Sequence, residues 1–274
     1  MVRSLARSAE RPAATRRRRP GGRGRNRFGV HLIVVKQFGL QRSGTNLLKA
    51  LLEANFEGVR PLGLVLGDKH GPAEWQAISA WRFDPELRAK LDLNDEEVEE
   101  ILDKAARRDL RFVFTTKNPI SWVISYWRYQ RVKNHAQPPE LHWDLCETCL
   151  RAWRARVTQW LVFHQQLPGD RSIFLRYEDL LCQPSVCLHD IEQRFGLTRL
   201  HTELTTGFPQ RTRRGTDAHH GEDLLIPDRP FDGSYYTERR YLAEYPEDLL
   251  RRVRARVETM TAEHPDLLPL VRLD

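Results

Sequence analysis

The sequence predicts an α/β protein with a central parallel sheet flanked by helices. Three observations carry this. Short apolar, β-branched runs recur at residues 30–38, 110–116 and 172–177, as strands buried on both faces should look. Helical patterns separate them, so neighbouring strands need crossover connections and pair in parallel. The first run passes into its helix through a glycine-bounded loop, Gly39-Leu-Gln-Arg-Ser-Gly44-Thr-Asn46.

Taken in order, the first strand (VHLIVVKQF, 30–38) leads through that loop to a helix over 47–54, where leucines recur at helical spacing. A short apolar stretch lies at 62–66. Residues 95–107 are acid-rich early and basic late, as the helix macrodipole prefers. The strand LRFVFTT (110–116) comes next. Asn118 then caps a helix with Pro119 at its first position, running through Trp122, Ser125 and Tyr129. A long amphipathic helix covers 140–166, and Trp153 and Trp160, seven apart, mark its core face. The strand at 172–177 runs directly into Glu178-Asp179-Leu180. A helix over 184–195 is closed by Gly196, residues 205–235 are expected as loop, and a final helix covers 246–263. No internal repeat is present.

The chain has 274 residues and a formal net charge of +7, which by itself suggests a polyanionic partner. The charge is not evenly spread. Residues 1–27 hold ten arginines against one glutamate, a net +9, and leave the other 247 residues at −2. The arginine-rich stretch has too few apolar residues to offset ordering entropy, so a disordered basic tail (1–27) is expected ahead of a single domain (28–274). Nucleic acid is therefore not the expected partner. No apolar run reaches the roughly 18–20 residues of a membrane span. Four cysteines are too few for a disulfide scaffold. Cys146-x-x-Cys149 has metal spacing but falls inside the long helix, so no metal site is expected.

A glycine loop that opens a helix binds anions, because backbone N–H groups and the helix dipole point the same way. Gly39 and Gly44 have the glycine spacing of a Walker A loop. That motif requires Lys and then Ser or Thr after the second glycine, for the terminal phosphates and Mg²⁺. Here Thr45 and Asn46 stand there, and Arg42 is the nearby cation. The loop can hold an anion but lacks the nucleoside-triphosphate apparatus.

GLQRSGTNLLKALL resembles the 5′-phosphosulfate loop of sulfotransferases that use 3′-phosphoadenosine 5′-phosphosulfate, which share a P-loop-like architecture. The resemblance implies that Arg42, Ser43, Gly44, Thr45 and Asn46 hold the donor's 5′ end, with Arg42 neutralising the leaving oxygen. It also implies that Lys117 and, eight positions later, Ser125 grip the 3′-phosphate; the family usually has arginine where Lys117 stands. Tyr177, in Tyr-Glu-Asp-Leu, corresponds to a tyrosine that contacts the adenine. Arg213-Arg214-Gly215 corresponds to a basic segment that closes on the 3′-phosphate. Lys69 and His70 fall where the family often places, at the end of its second strand, a lysine that stabilises the transferring group and a histidine base. Some family members separate the two by one residue, and others use glutamate as base. The activity implied is sulfonate transfer to a hydroxyl or amine of a small-molecule or glycan acceptor, in the cytoplasm, without metal. A kinase or other NTPase, and a non-catalytic nucleotide or polyanion binder, are the alternatives. Acceptor identity and oligomeric state have no signature in the sequence.

Overall fold

The run IVVKQFG cannot face water on either side without exposing valine or phenylalanine, and it becomes an inner strand of the sheet. A computed structural model describes residues 32–83, 88, 93–133, 140–207 and 233–271. The arginine-rich stretch 1–27, residues 30 and 31 of the expected first strand, and Arg213-Arg214-Gly215 lie outside the described residues. Four strands are described: β1 (Ile33–Gly39), β2 (Val59–Leu62), β3 (Arg111–Thr116) and β4 (Ser172–Arg176). All pair in parallel, in the order β2-β1-β3-β4. The chain steps from β1 to one side and then crosses back, so β1 and β3 flank a topological switch point. In open parallel sheets, ligands bind outside the strand ends at such a point.

The helices are α1 (Thr45–Asn55), α2 (Trp75–Ser79), α3 (Asp95–Ala106), α4 (Pro119–Lys133), α5 (Trp143–Gln165), α6 (Tyr177–Cys182), α7 (Pro184–Phe195), α8 (Ser234–Thr237) and α9 (Glu247–Glu263). Two local signals act as expected on physical grounds. Asn118 Oδ1 accepts the Ile120 N–H at 3.0 Å at the start of α4. Gly196 ends α7 in the left-handed conformation at φ 64°.

Alternation along the strands builds two core layers. Phe38, Phe112 and Phe114 face α5, where Trp153, Trp160 and Phe163 are buried. Val35, Val113, Ile173 and Leu175 face α1 and α7 on the opposite side. The register places Phe38 beside Phe114 and Phe114 beside Phe174, and their rings stack at 5.8 and 4.8 Å. Offset stacking of this kind adds about 0.5–1.5 kcal/mol per pair beyond area burial.

Some boundaries differ from the sequence expectation. The apolar stretch 62–66 is mostly a turn, because Leu66 and Gly67 adopt positive φ (61° and 102°) and leave the sheet. Tyr177 begins α6 instead of ending β4. Residues 234–237 form a helical turn that begins inside the 205–235 stretch expected as loop. Cys146 and Cys149 are buried free thiols on α5, and burial raises both above the ordinary thiol range.

Candidate functional site

The ends of β1, β3 and β4 are level with one another, since Gly39 pairs with Thr115 and Thr116 with Arg176. The loop 39–46, Lys117 and Tyr177 therefore emerge side by side. Crowding explains the first glycine. A Cβ on Gly39 would sit 2.0 Å from Thr115 Oγ1 and 2.8 Å from Ser43 Oγ. Within the loop, Ser43 is buried and inward-facing. Its hydroxyl donates to the Leu40 carbonyl at 2.7 Å and meets Thr115 Oγ1 at 3.1 Å. Ser43 thus shapes the turn through its side chain.

Arg42 and Gly44 both lie in the left-handed region (φ 69° and 81°). Gly44 precedes α1, and no side chain caps that helix. A Cβ on Gly44 would fall 2.4 Å from Cδ2 of Tyr177, so the tyrosine ring is seated directly on the loop. Burial pushes the Tyr177 hydroxyl up to about 12, so it stays protonated.

Lys69 and His70 lie against the same loop. Lys69 Nζ donates to Asn46 Oδ1 at 2.7 Å, and the Gly39 N–H donates to the Lys69 carbonyl at 2.8 Å. His70 Nδ1 is 2.6 Å from the Gly39 carbonyl oxygen. A carbonyl only accepts, so Nδ1 carries the proton and Nε2 keeps its lone pair in the neutral ring. Burial lowers the His70 pKa below the ordinary histidine value; Lys69 adds to the fall, while the Gly39 hydrogen bond and Asp68 oppose it. Burial also lowers Lys69.

Lys117 forms a second cluster against Tyr177. It is 1% exposed. Its ammonium donates to Ser125 Oγ at 2.5 Å and to the Tyr236 hydroxyl at 2.7 Å. It also lies 4.7 Å from the ring centroids of both Tyr177 and Tyr236. Among the described residues no carboxylate is ion-paired with it. Burial drives it down to about 7, Glu178 opposes that fall, and the Arg42 charge adds to it. Arg42 stacks toward Tyr129 of α4 at 5.9 Å and is felt at Lys117 and Tyr177.

Three tryptophans hold these loops in place. The indole N–H of Trp122 donates to the Gln41 carbonyl at 2.7 Å, Trp153 to Lys117 at 2.8 Å, and Trp160 to Gly71 at 3.0 Å. The core face of α5 is thus also a set of struts for the site. Glu178 accepts from the Asn118 N–H (3.1 Å) and from Ser121 Oγ (2.9 Å), tying α6 to the start of α4. A cleft of about 180 Å³ opens beside this cluster, lined by Asn118, Arg176, Glu178, Asp179, Tyr236 and Tyr241 among others.

Sequence reasoning missed Tyr236, which lies 119 positions from Lys117, just past the 205–235 stretch expected as loop. It also missed Lys36, although a lysine inside VVKQF has no water to face and signals a buried partner.

No family model and no curated protein matches the chain. Solved structures do. The chain is similar to the sulfotransferase domain from the curacin biosynthetic pathway at 15% identity and TM-score 0.47, over 84% of this chain and 98% of that one. It is similar to a sulfotransferase from Alicyclobacillus acidocaldarius at 14% identity and TM-score 0.46, over 87% and 96%. It is similar to mouse sulfotransferase SULT7A1 complexed with PAP at 14% identity and TM-score 0.46, over 82% and 89%.

Proposed function

We propose that this protein is a sulfotransferase that takes the sulfonate group of 3′-phosphoadenosine 5′-phosphosulfate and transfers it to a hydroxyl or amine of a small-molecule or glycan acceptor. One observation carries the reading. Two anion-accepting clusters share one aromatic ring, Tyr177: the uncapped start of α1, where Lys69 reaches Asn46, and the buried Lys117 ammonium with Ser125 and Tyr236. A donor charged at its 5′ and 3′ ends matches that division. A nucleoside triphosphate, with its charge gathered at one end, does not.

In this reading the acceptor oxygen or nitrogen attacks sulfur in line as the bond from sulfur to the bridging phosphate oxygen breaks. His70 Nε2 takes the acceptor proton. Its lowered pKa keeps it neutral at pH 7 and able to do so. Lys69 offsets charge on the transferring group, and Arg42 offsets charge on the product nucleotide. Arg213, Arg214 and Gly215 are proposed to close on the 3′-phosphate.

Thermal unfolding with 3′,5′-ADP, set against ATP plus Mg²⁺, tests this. The melting temperature rises with 3′,5′-ADP and not with ATP plus Mg²⁺; the reverse pattern replaces the reading with an NTPase.

A further inference from the structure

Lys36 lies in the middle of β1 and is 0% exposed. Its ammonium donates to the carbonyls of Gly63 (2.9 Å), Val65 (2.9 Å) and Gly67 (2.5 Å), and sits 4.7 Å from the Phe38 ring centroid. An ammonium has three protons, and these three acceptors use all of them. The carbonyls come from alternate residues of one tight turn. That turn contains Leu66 at φ 61° followed by Gly67 at φ 102°. A leucine in the left-handed region is disfavoured, and three carbonyl oxygens converging on one point repel one another. The turn therefore needs a multiple N–H donor at its centre.

The acceptor side of the site begins directly after this turn. Asp68 Oδ1 accepts the His70 N–H at 3.1 Å, Lys69 reaches Asn46, and His70 reaches the Gly39 carbonyl. On the far side, Trp160 fixes the Gly71 carbonyl. The pair is thus held between two anchors, and Lys36 is the upstream one.

We propose that Lys36 is a positioning residue: its buried ammonium fixes the turn at 63–67, and the turn holds Lys69 and His70 against the 39–46 loop with His70 in its Nδ1–H tautomer. The value of that tautomer for catalysis rests on the sulfotransferase reading; the placement does not.

The test is ¹⁵N NMR of the histidine rings in the full chain, with His70→Gln assigning the resonances. Wild type shows one fixed neutral tautomer at pH 7, with Nδ1 protonated. Lys36→Met, which keeps the volume and removes the donors, shows ring signals averaged between tautomers. A folded Lys36→Met protein that keeps the fixed tautomer overturns the proposal, as does a wild type without it. If Lys36→Met does not fold, Gly67→Ala decides. A Cβ there meets no atom within 4 Å, so the change strains the turn's backbone and nothing else. Averaged signals in Gly67→Ala support the proposal, and a retained tautomer overturns it. Failure of wild type to bind 3′,5′-ADP would remove the sulfotransferase reading and leave the tautomer result standing.

Discussion

Two lysines lie buried along the sheet, Lys36 in the middle of β1 and Lys117 just past β3, and their surroundings differ in kind. Lys36 faces three backbone carbonyls that can only accept. Lys117 faces two hydroxyls and two ring faces. Hydroxyls rotate and can donate as well as accept, so Ser125 and Tyr236 can turn toward an incoming anion together with the lysine. Carbonyls cannot. A buried ammonium saturated by carbonyls holds backbone in place; one held by hydroxyls and aromatic faces remains able to bind an anion.

The largest expected effect separates the two on stability. Lys36→Met leaves carbonyl groups without their donor and lowers unfolding free energy by about 2–4 kcal/mol in denaturant titration. Lys117→Met removes a buried charge and leaves hydroxyls that can bond to each other, so the unliganded protein stays within about 1 kcal/mol of wild type. Equal losses in the two variants would erase the distinction.

Binding sharpens the comparison in the other direction. Lys117→Met weakens 3′,5′-ADP by about 10- to 100-fold in calorimetric titration, the value of a charge-assisted hydrogen bond to phosphate. Lys36→Met leaves that affinity within about threefold, because its ammonium is spent on the 63–67 carbonyls and has no proton left for a phosphate.

The pH dependence tests the same contrast from another side. Both lysines titrate near 7 in the folded chain and near 10.4 when unfolded. The unfolded state holds more protons between those values, so stability rises with pH across that window. Binding to Lys117 needs the ammonium and moves oppositely, about fivefold weaker at pH 8 than at pH 7. Measuring both slopes checks the sign. Lys117→Met should flatten the binding slope and leave the Lys36 share of the stability slope in place.

Much of this was legible from local pattern. β1, the loop 39–46 and α1 declare themselves in one short stretch because strand, glycine turn and helix succeed one another directly. Asn118-Pro119 marks the start of α4 for the same reason. The pairing of Lys117 with Ser125 came through family resemblance, since two turns of helix do not by themselves bring those side chains together. Tyr236 was beyond reach: nothing near it in sequence shows that α8 packs beside α6. The 62–66 stretch is apolar and the resemblance puts a strand end there, yet Val65 and Leu66 are buried in a turn whose carbonyls are held by Lys36.

Tyr236 also bears on synthesis. Residues 33–177 supply the strand ends, the glycine loop, Lys69, His70 and Lys117, yet the last hydroxyl on Lys117 comes from a helix far downstream. A chain still emerging from the ribosome has Lys117 but not the aromatic wall that completes the pocket around it. The site becomes whole only after α8 has been made and docked, so competence to hold a ligand at Lys117 reports that the carboxy-terminal part of the fold is in place.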